Sequence, residues 1–169
     1  MDVLVVDGYN MIGAWHELNR LKVHDIGLAR DKLIEILSEY QAFYRKRVIV
    51  VFDALYVKGK ESRRSFHNVE IIYTKEDETA DECIERLVKD LKNVKNQVYV
   101  ATNDYLEQRT IFSRGALRTS SRELQIEIEN MDVHVKGFVE ENNLVKPSSK
   151  IELDEETLQI LEALRRGNL

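Results

Sequence analysis

The chain opens Met1-Asp2-Val3-Leu4-Val5-Val6-Asp7-Gly8-Tyr9-Asn10. Four consecutive apolar residues, three of them β-branched, run straight into a carboxylate, a glycine, an aromatic and an amide. A continuous apolar run of this length, without polar alternation, predicts a strand buried on both faces. An acid at the exit of such a strand is the feature to follow through the chain.

Three further runs resemble the first: Val48 to Phe52, Val69 to Tyr73 and Gln97 to Ala101. Between them apolar residues recur at helical spacing, at Leu28, Leu33, Ile36, Leu37 and Tyr40, and again at Ala80, Ile84, Leu87, Val88 and Leu91. Strands alternating with helices call for a mainly parallel, doubly wound sheet flanked by helices, an α/β fold. Asp53 to Asn68 has no helical signature. Beyond the fourth strand a helix is expected over Asp104 to Phe112, ended by Ser113-Arg114-Gly115. A second is expected from a Ser120/Glu123 capping box to about Asn130. Val133 to Val139 reads as a fifth strand, and Asp154 as the cap of a last helix at about 154–166.

At 169 residues the chain is expected to form a single domain, 1–169. The apolar runs are too short for a membrane helix, and the N-terminus lacks a basic signal-peptide start. With one cysteine, Cys83, it builds neither an internal disulfide nor a thiolate metal site, which points to the cytoplasm. The net charge of −5 conceals basic segments. One includes Lys58, Lys60, Arg63 and Arg64; the other includes Arg114, Arg118 and Arg122. Each is either a phosphate-binding surface or ordinary solvated charge.

Asp7, Asp53 and Asp104 each follow a strand, and Asp81 falls in the first turn of a helix, in Thr79-Ala80-Asp81-Glu82. In a parallel sheet the strand C-termini and the N-termini of the following helices share one edge, where ligands of open α/β sheets bind. Two carboxylates about 4 Å apart repel by roughly 4 kcal/mol at an effective dielectric near 20. Such a cluster takes up protons or a cation. Mg²⁺ or Mn²⁺ suits an all-oxygen set, and a phosphodiester is a natural target for a water activated there. Each acid has a structural alternative: Asp7 as a turn former, Asp81 and Asp104 as helix-start residues. HExxH, GxSxG, GxxxxGK[ST] and GxGxxG motifs are all missing from the sequence, so zinc-protease, serine-hydrolase, P-loop and dinucleotide readings lack their parts.

The strings VDGYN, VVFDA, TADE and ATND, together with GALRTSSREL and the intervening VKG, resemble the YacP-like group of NYN domains, a branch of the PIN-like nucleases, over nearly the whole chain. The resemblance implies a three-layer PIN-like fold and a metal-dependent endoribonuclease that cleaves mRNA in association with the translating ribosome. It puts the acidic site on Asp7, Asp81 and Asp104, the accompanying amide on Asn10, and Asp53 in a secondary role. Asn103, which stands where relatives often carry a hydroxyl residue, becomes a candidate substrate contact. Arg118 is a candidate phosphate ligand, with Arg114 and Arg122 as neighbours. Tyr9 and Tyr105 either stack on a base or simply pack. Two other classes remain: a non-catalytic RNA- or ribosome-binding module, and an aspartate-based phosphatase or phosphoacceptor. The latter lacks its paired acid after the first strand.

Overall fold

The computed structural model describes residues 1–54, 62–144 and 155–167, with side chains left undescribed at 62–64. Its sheet has six strands in the order β3-β4-β2-β1-β5-β6. These are β1 (Asp2–Asp7), β2 (Arg47–Phe52), β3 (Ser62–Phe66), β4 (Val69–Tyr73), β5 (Gln97–Ala101) and β6 (Leu117–Thr119). All pairings are parallel except β3 with β4. The helices are α1 (Gly8–Ala14), α2 (His16–His24), α3 (Ile26–Tyr44), α4 (Ala80–Leu91), α5 (Tyr105–Ser113), α6 (Ser121–Leu144) and α7 (Glu155–Arg165).

β1 is central because its residues are apolar on both faces. Leu4 and Val6 enter a core with Met11, Ile12, Leu33, Leu37 and Leu124, from α1, α3 and α6. Val3 and Val5 enter the opposite core with Cys83, Ile84, Val88 and Ile111, from α4 and α5. Helices on both faces of a mainly parallel sheet are the expected α/β architecture. The chain winds outward from β1 to β2 and β4, then returns to β5 and β6 on the other side. The strand order therefore reverses beside β1, and Asp7 is the last residue of that strand.

Two departures from expectation have local causes. Val133 to Val139 is helical, not a fifth strand, because it lies inside α6. That helix starts at a true capping box: Ser120 Oγ accepts from Glu123 N–H, and Glu123 accepts from Ser120 N–H, both at 3.1 Å. Extending a nucleated helix adds a hydrogen bond per residue. The weak preference of valine, and about 1 kcal/mol for Gly137, do not outweigh this. The segment before Asn68 contains the edge strand β3, joined to β4 by a two-residue turn. His67 and Asn68 both take positive φ, 44° and 67°, as a type I′ hairpin turn requires.

The chain divides into two compact units, Met1–Asp132 and Val133–Leu169. The first contains the sheet and both cores. The second contains the end of α6 and α7, with Val133, Phe138, Leu144, Ile160 and Leu164 exposed. Among the described residues, no helix is long and apolar enough to cross a membrane.

Candidate metal centre

The C-terminal edge of the sheet gathers four carboxylates from three parts of the chain. Asp7 ends β1 and caps α1, its Oδ1 accepting from Asn10 N–H at 3.5 Å, and it is only 8% exposed. Asp81 lies in the first turn of α4, within the reciprocal capping box of Thr79 and Glu82. Asp104 follows β5 and caps α5, accepting from Leu106 N–H at 2.9 Å and Glu107 N–H at 3.3 Å. Glu107 is in the first turn of α5 and is buried. Oxygens of Asp7, Asp81 and Glu107 all lie within 4.8 Å of one another.

In sequence Glu107 is indistinguishable from an ordinary first-turn helix acid. The Thr102 hydroxyl donates to Glu107 Oε2 at 2.7 Å and accepts from Asp104 N–H at 3.0 Å. Glu107 Oε1 is buried and receives no hydrogen bond. A buried charged oxygen without a donor is costly. It calls for a proton or a cation.

The electrostatics agree. Burial, followed by the charges of Asp81 and Asp104, pushes Asp7 up to about 7, against the partial relief of the Asn10 N–H. Burial and then the Asp7 charge push Glu107 up to about 8, opposed by the Thr102 hydroxyl. Asp81 is raised too, by burial and then by Asp104. These carboxyls resist ionising together unless positive charge arrives. A hard, oxygen-preferring divalent ion such as Mg²⁺ or Mn²⁺ fits this donor set.

Other sequence candidates have different surroundings. Asp53 Oδ2 accepts from Ala80 N–H at 3.4 Å at the start of α4, and its charge contributes to the raised Asp81. Asn10 Oδ1 accepts from Asn103 N–H at 2.9 Å. The Asn103 amide bonds Ser121, donating to its Oγ at 2.5 Å and accepting from its N–H at 3.0 Å. Together these bonds tie α1, the β5–α5 loop and the start of α6. Arg114 is paired with Glu85 at 2.7 Å. Arg118, on β6, and Arg122, in the first turn of α6, are exposed. Lys58 and Lys60 lie outside the described residues, and Arg63 and Arg64 are described only as backbone positions of β3. Tyr9 packs on Phe52 with centroids 5.2 Å apart and accepts a hydrogen bond from Arg30, whereas Tyr105 is exposed.

Gly8 is required by packing. A Cβ there would lie 2.3 Å from Phe52 Cε1 and 3.0 Å from the Val51 carbonyl oxygen. The glycine lets α1 start directly against β2.

A mainly parallel α/β sheet with acids at its C-terminal edge, where the strand order reverses, fits the PIN-like class. The model of the YacP-like NYN domain matches residues 4–166, and the chain belongs to this family. It is 52% identical over 169 residues to the Bacillus subtilis (strain 168) protein named "Uncharacterized protein YacP", covering 100% of this chain and 99% of that one. The crystal structure of Rae1 (YacP) from Bacillus subtilis is similar throughout, with a TM-score of 0.77 and 51% identity over 100% of this chain and 97% of that chain. The W164L mutant of the same protein gives a TM-score of 0.76 and 48% identity over 99% and 97%.

Proposed function

We propose that this chain is a metal-dependent endoribonuclease, in which Asp7, Asp81 and Glu107 hold Mg²⁺ or Mn²⁺ with Asp104 beside them and Asp53 in a secondary role. The observation that carries the reading is the convergence of carboxylate oxygens of Asp7, Asp81 and Glu107 within 4.8 Å of one another, with Oε1 of Glu107 buried and without a donor. When bound, the ion supplies positive charge against the reacting phosphate and lowers the pKa of the attacking water.

The chain's own residues prepare that chemistry. Thr102 orients Glu107, and the Asp104 cap fixes the first turn of α5 from which Glu107 projects. Asn10, bonded to the backbone of Asn103, holds the loop that carries Asp104. Arg118 and Arg122 bind backbone phosphates, with Arg114 released from Glu85 as a further contact. Lys58, Lys60, Arg63 and Arg64 extend the RNA surface, and Asn103 borders it.

Family resemblance supports mRNA on the translating ribosome as the substrate, with the whole chain acting as one cytoplasmic nuclease module that ends in its C-terminal helix. The test is to map mRNA ends after adding wild-type or Asp81→Asn protein to translating ribosomes. New internal ends are expected with wild type alone. Equal cleavage by both proteins would refute the assignment.

A further inference from the structure

On the α3 side of the sheet, Asp31, Ile34, Ser65, Phe66, Ile71 and Tyr73 line a cavity of about 490 Å³. Its wall is formed by β3 and β4, and Arg63 and Arg64 are positions of β3. A cavity of this size admits a planar heterocycle. Phe66 is 46% exposed, leaving ring surface to stack on. Tyr73 is stacked on Phe52 at 5.5 Å with an interplanar angle of 27°, so its ring is held from behind.

An aromatic row leads from this cavity to Tyr9, at the start of α1. Tyr73, Phe52 and Tyr9 follow one another with centroids 5.5 and 5.2 Å apart, and Tyr9 is two residues from Asp7. Arg30 Nη1 donates to the Tyr9 hydroxyl at 3.1 Å, which holds a guanidinium at the Tyr9 end of that row. Asp31, the next residue, is exposed, and its carboxylate has no hydrogen bond or ion pair among the described residues. Stacking surface, a cation at backbone position and an acceptor inside the cavity are the parts that read one unstacked base of single-stranded RNA.

We propose that this cavity is a nucleobase subsite selecting guanine, with the base stacked on Phe66 and Tyr73 and its Watson–Crick edge donating to Asp31. Of the four RNA bases, guanine alone presents two adjacent donors, N1–H and the 2-amino group, to a carboxylate that only accepts. Arg30 contacts the phosphate between this base and the acidic cluster. The inference rests on the nuclease reading for its substrate, and it assigns that substrate a sequence preference.

The experiment is a fluorescence-anisotropy titration, in EDTA, of 5′-labelled hexauridylates carrying guanosine, inosine, adenosine or uridine at one central position. Wild type should bind the guanosine oligomer about tenfold more tightly than hexauridylate, with inosine in between. Asp31→Asn should bring guanosine to the uridine level, whereas Phe66→Ala should weaken every oligomer about fivefold. A wild type without guanosine preference, or an Asp31→Asn protein that keeps it, would overturn the subsite. If wild type cuts RNA in Mn²⁺ but shows no preference, the subsite falls and the nuclease reading stands. If it binds with preference and cuts nothing on or off the ribosome, the reverse holds.

Discussion

The Thr102 hydroxyl donates to one oxygen of Glu107 at 2.7 Å and leaves the other buried and without a donor, in a carboxylate that lies beside Asp7 and Asp81. Thr102 is itself fully buried at the end of β5, so its single proton decides which Glu107 oxygen is committed. Groups that orient a metal ligand are commonly worth ten- to a hundredfold in metal affinity. Thr102→Val keeps the volume and deletes the bond. It should weaken Mn²⁺ binding about tenfold and, by stranding the Asp104 N–H, cost about 1–3 kcal/mol of stability. Thr102→Ser should restore both, as measured by calorimetry and thermal melts.

Protonation links the same cluster to stability. Asp7 rises from an ordinary 3.8 to about 7 in the folded chain, and Glu107 from 4.5 to about 8. Across that window the folded state holds more protons than the unfolded state, so stability falls as pH rises. Below the unfolded values both groups are protonated in either state, and the penalty is absent. It is complete above the folded values. Melting curves of metal-free protein should therefore show Tm falling as pH is raised through this window. Mn²⁺ should offset the fall, and Asp7→Asn should flatten it.

The close approach of α1 to β2 gives a test of packing alone. Gly8→Ala places a methyl 2.3 Å from Phe52 Cε1 unless the ring moves, and Phe52 is fully buried between Tyr9 and Tyr73. Overpacking of this kind costs about 1–3 kcal/mol. Chemical denaturation should show the midpoint shifted down with an unchanged m-value.

Much of this was legible because the determinants are local. The strand that ends on Asp7 and the one that precedes Asp104 announce themselves by mostly apolar runs, and the Thr79/Glu82 and Ser120/Glu123 boxes mark the starts of α4 and α6. What was missed depends on the tertiary setting. Glu107 acquires its character from burial against Asp7, which no spacing rule within α5 reveals. β6 has three residues and is defined by its pairing with β5. The β3–β4 turn uses His67-Asn68 where Asn-Gly would have signalled a hairpin. α1 and α2 are separated only by Trp15, whose extended backbone breaks the helix while its indole N–H donates to the Ser121 carbonyl at 2.9 Å. The Asp104 cap shows that the structural and functional readings of one acid need not compete, since it satisfies two N–H groups while adding charge beside Asp7 and Asp81.

The arginines separate by their existing partners. Arg114 is already engaged with Glu85 at 2.7 Å, whereas Arg118 is exposed and makes no ion pair among the described residues. Arg118→Ala should weaken RNA binding and reduce the slope of log K against log salt by about one. Arg114→Ala should change the slope less. Filter-binding titrations at several salt concentrations measure both.

The central claim is that buried carboxylates at the exit of β1 form a divalent-metal site, and calorimetric titration of Mn²⁺ into wild-type and Glu107→Gln protein at about pH 8 tests it directly. Saturable binding with proton release is expected in wild type, because raised carboxyls must ionise to bind the ion. In Glu107→Gln the affinity should fall at least about tenfold. Identical isotherms for the two proteins, or no saturable binding by wild type, would contradict the account.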